Sequence, residues 1–382
     1  MIDNMNIHPF LDISEFLFKF VQTTNDPPRM IAKHFPERLK SARKMMGFSL
    51  QDLSDKLKNQ LNKQALQRLE TGEAKPDSET LSSLAKALQV LPEYFFREYT
   101  VELQDLSFRK LKKLPAREQE KIKAATVEYL ERYLELEDIL GLECRLPFRP
   151  KSFKIKNRAD VEKAATELRI SWRLGDDPLP NIIEMLEENY IKVILLETDS
   201  SFSGMSTILD DRIAVIVLNN SDGIPIVRRR FSALHELAHL YLDLSPFAEK
   251  EAEKLCDAFA CALLLPANKI QVALGYVRSV LYLKELAIIA GQYGISLAAI
   301  AYRALALEII SATYHKYFLI SYNRDRIRER EFEVYSGKEH SDRFLQLLIR
   351  AVAEEVISTA KAAALYNQRL GDFRDTIDNA FR

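Results

Sequence analysis

Between Pro36 and Arg97, apolar residues recur at intervals of three and four in short runs separated by polar turns. The runs predict helices over Pro36–Met46, Leu50–Lys58, Lys63–Glu70 and Ser78–Val90. Leu50, Leu53 and Leu57 mark one face of the second helix, and Leu81, Leu84, Ala85 and Leu88 one face of the fourth. Ser49 followed by Asp52 has the form of a capping box at the start of the second. Residues 34–98 therefore read as a small all-helical domain. Ahead of it, residues 1–33 form an apolar-acidic extension in which Asn25-Asp26-Pro27-Pro28 predicts a hinge.

Residues 99–154 read as a helical connector. Its long helix, Glu118–Leu140, has no Gly or Pro, and Ile122, Ala125, Tyr129, Tyr133, Leu136 and Leu140 form a short heptad-like seam. A coiled-coil homodimer is one use of that seam; packing on its own domain is favoured, because the seam spans under about three heptads. Leu146–Lys156, with Pro147 and Pro150, predicts a linker. In residues 155–310, helices at Asp160–Leu168 and Ile182–Asn189 precede strands at Ile191–Glu197, Ser203–Leu209 and Arg212–Leu218. The last two strands form a predicted hairpin with its turn at Asp210-Asp211. Helices follow from after Pro225 to Leu242, from Ala248 to Leu265, and from Leu297 onward behind the Gly294-Ile295-Ser296 cap. Residues 311–382 are again helical. The expected fold class is α+β and mostly helical, with an N-terminal all-helical domain, a middle domain built around a small sheet and a helical C-terminal region.

Composition narrows this further. With 11 Gly and 14 Pro among 382 residues, a turn-dense all-β protein is excluded. The formal charge of −1 means that any nucleic-acid contact must use a local basic face. Three cysteines, Cys144, Cys256 and Cys261, are too few for a disulfide framework and point to a reducing compartment. No apolar run approaches the ~18–20 residues of a membrane span, and Asp3, Asp12 and Glu15 break the pattern of an export signal. A cytoplasmic protein without membrane contact is expected.

The chemistry concentrates at His235-Glu236-Leu237-Ala238-His239. On a helix the two histidines stand one turn apart, so both imidazoles reach one zinc ion. Glu236 is turned about 100° away and is placed to act as a base rather than a ligand. A catalytic zinc needs a third protein ligand and one open position. Glu249, Glu251 and Glu253 are all on offer; Glu253 is the best candidate, because Asp257 on the same face could hydrogen-bond the outer nitrogen of a ligand histidine. Cys256 and Cys261 sit in an apolar run and read as core. Arg228-Arg229-Arg230 reads as a solvated helix start, with an acidic-substrate site as the alternative, and His8, His34, His315 and His340 fall in no metal-spaced pair.

Arg229-Arg230-Phe231-Ser232-Ala233-Leu234 leading into the histidine pair, then Glu253-Lys254-Leu255-Cys256-Asp257-Ala258-Phe259-Ala260 and Leu263-Leu264-Leu265-Pro266, resemble the ImmA/IrrE family of zinc metallopeptidases. The similarity extends to Ser203-Gly204-Met205-Ser206, to the strand ending at Asn219, and to Tyr293-Gly294-Ile295-Ser296. It implies a zinc held by His235, His239 and Glu253, Glu236 as base, and a DNA-binding regulator as the protein substrate. Asp257 stands where the family also uses Asn.

Leu66-Gln67-Arg68-Leu69-Glu70-Thr71-Gly72 with Lys75-Pro76-Asp77 resembles the lambda-repressor-like (XRE) helix-turn-helix family. The resemblance puts the helix from Lys63 in the major groove of a double-stranded DNA operator, with Lys63, Gln64, Gln67 and Arg68 facing the bases and phosphates. Residues 36–97 hold 11 basic against 8 acidic side chains, a modest bias in that direction. Two features depart from the family pattern: Lys58-Asn59-Gln60-Leu61-Asn62 is two residues longer than the usual glycine turn, and Leu50 replaces a polar residue. Together the resemblances imply an N-terminal helix-turn-helix domain, a small-sheet zincin-like peptidase domain and a helical C-terminal region, and the expected function is a DNA-binding regulator carrying a zinc endopeptidase. The rivals are a repressor whose peptidase-like domain only senses, and a peptidase that docks its substrate with the helical domain.

Overall fold

The computed structural model describes residues 27–97, 114–142, 149–209, 213–325 and 335–379. The extension up to residue 26, Cys144, the linker residues 146–148 and the Asp210-Asp211 turn lie outside the described residues. The chain forms two compact units, the first from residues 1–102, 115–143 and 345–382, the second from 103–114 and 144–344. Secondary structure is mostly helical with two small sheets, an α+β protein.

The first unit begins with α1 (Pro27–Met45), α2 (Leu50–Lys56), α3 (Lys63–Glu70), α4 (Ser78–Leu88) and a 3-10 turn at Pro92–Phe96. α1 starts well ahead of the expected Pro36. A proline pair is a breaker in mid-helix but suits a helix's first positions, where its fixed φ fits and no N–H is required. Pro36 itself lies inside α1, and the helix continues across it because Phe35, Leu39 and Ala42 all face the core shared with Leu53, Leu66, Leu84 and Phe95. The Ser49 and Asp52 capping box forms as expected. In the long α2–α3 turn, Lys58 and Asn59 take the left-handed conformation that glycine normally supplies, and Ser54 Oγ donates to Leu61 O at 2.7 Å to close it.

α5 (Ala116–Ile139) belongs to the same unit. Arg38 of α1, fully buried, donates to Glu131 at 2.6 Å and Glu128 at 3.1 Å, and Arg97 reaches Glu128 and Glu135. Burial dominates at Glu131 and pushes its carboxyl above the usual range despite Arg38. Of the seam, Ile122, Tyr133 and Leu136 are buried and Ala125, Tyr129 and Leu140 half-buried, and α5 packs on α1 of its own unit.

The second unit runs β1 (Phe153–Lys154), α6 (Ala159–Ser171), α7 (Ile182–Glu188), β2 (Lys192–Leu196), β3 (Gly204–Leu209), β4 (Ile213–Asn219), α8 (Ile226–Tyr241), β5 (Leu242–Asp243), α9 (Glu249–Leu264), α10 (Ala267–Leu274), α11 (Leu283–Tyr293), α12 (Leu297–Ala306) and α13 (Ala312–Arg324). β4 is the centre of a three-stranded sheet, parallel to β2 and antiparallel to β3, with Leu209 opposite Ile213 as the hairpin required. β1 and β5 pair in parallel. β4 is apolar almost throughout because it is a central strand buried on both faces; α8 packs against β3 and β4, α7 against β2, and α9 lies on α8. At its end, buried Asn219 donates to Asp199 O and Phe202 O, both at 2.9 Å, and so fixes the loop that delivers β3.

The chain re-enters the first unit within α14 (Arg343–Ala353), followed by α15 (Thr359–Leu365) and α16 (Leu370–Asn379). Arg132 of α5 donates to Leu365 O at 3.0 Å, and Lys361 pairs with Glu135 at 2.5 Å. Among the described residues, no single helix is long and apolar enough to cross a membrane.

Candidate functional site

α8 carries His235, Glu236 and His239, and α9 carries Glu253 and Asp257. The end of α9 is held by buried guanidinium groups: Arg169 donates to Leu263 O and Arg303 to Leu265 O, which satisfies carbonyls a helix terminus leaves bare. Burial pulls Arg169 down to about 10, and Arg303 is paired with Glu162. α8 is fixed from below by Arg230, whose side chain is wholly enclosed. It donates to Leu179 O at 2.7 Å, to Gly294 O and to Tyr335 Oη, and pairs with Glu339. Glu339 in turn accepts from the N–H groups of Ile182 and Ile183 at the start of α7. Gly294 ends α11 in the left-handed conformation, and a Cβ there would collide with the Arg230 guanidinium.

Arg230 thus corrects the reading of the arginine run as a solvated helix start. The signal was present in the period: Arg230, Leu234, Leu237 and Tyr241 follow spacings of four, three and four, which puts Arg230 on the buried stripe.

At the centre, two ring nitrogens and the two oxygens of one carboxylate converge. His235 Nε2 lies 3.2 Å from His239 Nε2 and 3.1 Å from Glu253 Oε2, and His239 Nε2 lies 3.2 Å from Glu253 Oε1. His235 Nδ1 is 2.8 Å from Asp257 Oδ1. A carboxylate only accepts, so Nδ1 carries the proton and, in the neutral ring, the Nε2 lone pair faces His239 Nε2 and the Glu253 carboxylate. Lone pairs so close repel one another unless a cation lies between them. A tetrahedral zinc with bonds of ~2.0–2.1 Å needs donors about 3.3 Å apart, so the set fits. Of the three glutamates on offer, Glu249 and Glu251 are exposed and only Glu253 meets the histidines. Cys256 is buried in the core as expected, and its sulfur also lies within 4.8 Å of a ring nitrogen of each histidine. Burial pushes the Cys261 thiol up to about 12, which leaves it inert.

Glu236 is 3% exposed and accepts a hydrogen bond from Ser206 Oγ of β3 at 2.9 Å. The sequence reading did not give Ser206 a role. Its partner lies on another element, and no local spacing announces such a pair.

In the first unit, Lys63, Gln64, Gln67 and Arg68 are all exposed on one face of α3, while Leu66 and Leu69 are buried on the other. Asn62 caps the helix by accepting from Ala65 N at 2.8 Å. Arg43 clamps its far end through Glu70 at 2.6 and 2.9 Å. Arg68 makes a loose, exposed 4.0 Å contact with Glu73 and is free to swing to a ligand.

Residues 39–95 match the family model described as a helix-turn-helix, and residues 191–305 match that of the IrrE N-terminal-like domain. The chain thus carries a DNA-binding type of helix-turn-helix region and, after it, a metallopeptidase-type region similar to those of IrrE and ImmA. No match to a curated protein was found.

Proposed function

We propose that the protein is a DNA-binding transcriptional regulator whose second unit is a zinc endopeptidase acting on a regulatory, repressor-type protein. The observation that carries the catalytic half is the convergence of His235, His239 and Glu253 beside a carboxylate, Glu236, that is not one of the three. Those three residues would hold the metal, and Asp257 would orient His235 through Nδ1. When bound, zinc supplies Lewis acidity toward the scissile carbonyl. Glu236 takes a proton from the attacking water and returns it to the departing amine, so that one peptide bond is exchanged for a carboxylate and an amine. Metal analysis is expected to find one zinc per chain in the wild type and a loss of most of it in His239→Ala. Full retention by that variant would remove the site.

The DNA-binding half is supported by the exposed polar face of α3 on a rigid helical core. Gln64 and Arg68 read bases, Lys63 mainly adds phosphate affinity, and Gln67 lies on the same DNA-facing side. Arg68→Ala is expected to relax sequence preference by ~1–3 kcal/mol at its base position. Binding-site selection on random duplex DNA measures this. A variant with the wild-type preference would mean that α3 docks protein rather than DNA.

A further inference from the structure

A helix fixes where Glu236 begins but not where its carboxylate points, because two rotatable bonds beyond Cβ remain free. The strand β3 limits that freedom in two independent ways. Ser206 Oγ donates to Glu236 Oε2 at 2.9 Å. Two residues earlier, and so on the same face of the strand, Gly204 lies against the glutamate's stem. A Cβ at Gly204 would come within 3.3 Å of Glu236 Cγ and 3.1 Å of both Val217 O and Leu218 Cδ2. Both positions are set by the β3–β4 register, Gly204 opposite Leu218 and Ser206 opposite Ile216.

We propose that Ser206 is a positioning residue that holds the Glu236 carboxylate by Oε2, with Gly204 providing the clearance that brings strand and glutamate together. This rests on the reading of Glu236 as the base. Held in this way, the carboxylate keeps one orientation through the reaction and needs no reorganisation when the proton moves. The hydroxyl acts through Glu236, to which it donates.

Two measurements test the proposal separately from the peptidase reading. In the first, Ser206→Ala, Glu236→Ala and the double variant are unfolded in denaturant. A coupling of about tenfold in the unfolding constant is expected from a hydrogen bond to a buried carboxylate, and additive effects would overturn the proposal. In the second, a quenched fluorescent peptide cleaved by the zinc-loaded wild type is drawn from a random library. Ser206→Ala is expected to lower kcat about tenfold with KM and zinc content unchanged, and Ser206→Thr, which keeps the hydroxyl, to restore it. Wild-type kcat in Ser206→Ala would overturn the proposal. If the wild type cleaves no peptide in the library, the peptidase reading falls, and the unfolding cycle alone decides whether Ser206 restrains Glu236.

Discussion

Glu236→Gln is expected to keep its zinc and its melting temperature and to lose peptide-bond hydrolysis by a factor of ~10²–10⁴. The amide preserves the size of the side chain and can still accept from Ser206, so the neighbourhood of β3 and α8 is undisturbed. What disappears is the basic oxygen. The test co-expresses the wild type or the variant with regulators encoded beside its gene and follows their fragments by mass spectrometry. Equal cleavage by both would remove Glu236 from the reaction. The helix-turn-helix unit supplies an internal control, since operator binding in the variant should match the wild type.

Arg230→Met is expected to lower stability by about 3–5 kcal/mol, the usual consequence of leaving one member of a buried ion pair alone. For a unit of this size that corresponds to a fall in melting temperature on the order of 10 °C. Arg230 and Glu339 are both inaccessible to solvent, and the arginine also satisfies carbonyls of Leu179, Tyr293 and Gly294. Burial already raises the Glu339 carboxyl above its ordinary 4.5, opposed by Arg230 and by the N–H groups of Ile182 and Ile183. Without the arginine the folded state favours the protonated acid more strongly. A carboxyl with a raised folded pKa gives up stability as pH rises through that value, so the deficit relative to wild type is smallest below 4.5 and grows toward neutrality. Adding Glu339→Leu should recover part of the loss. A melting curve identical to wild type, or a deficit that shrinks as pH rises, would contradict this account.

The features legible in the sequence are those written within one element. The histidine pair and Glu236 follow from helical spacing alone, and Asp257 from its position one turn beyond Glu253. The capping box at Ser49, the hairpin pairing of β3 with β4 and the exposed face of α3 are equally local. What escaped depends on partners from elsewhere in the chain. Ser206 acquires a role only because β3 is laid over α8, and Glu339 because its carboxylate reaches both the start of α7 and Arg230. Pro27 misled for a different reason: the same residue ends a helix from inside and begins one from its edge.

The order of the chain gives the first unit an unusual history during synthesis. Among the described residues, its helix-turn-helix core is built from Phe35 to Phe96, so it can close soon after leaving the ribosome. α5 emerges next, but the partners that α15 gives Arg132 and Glu135 arrive only after the entire second unit has been translated. A nascent chain stalled within the second unit therefore displays a finished helix-turn-helix on an unfinished support. Operator occupancy by such fragments, set against that of the whole chain, becomes a measure of how much the late-arriving helices matter to the early-folding bundle.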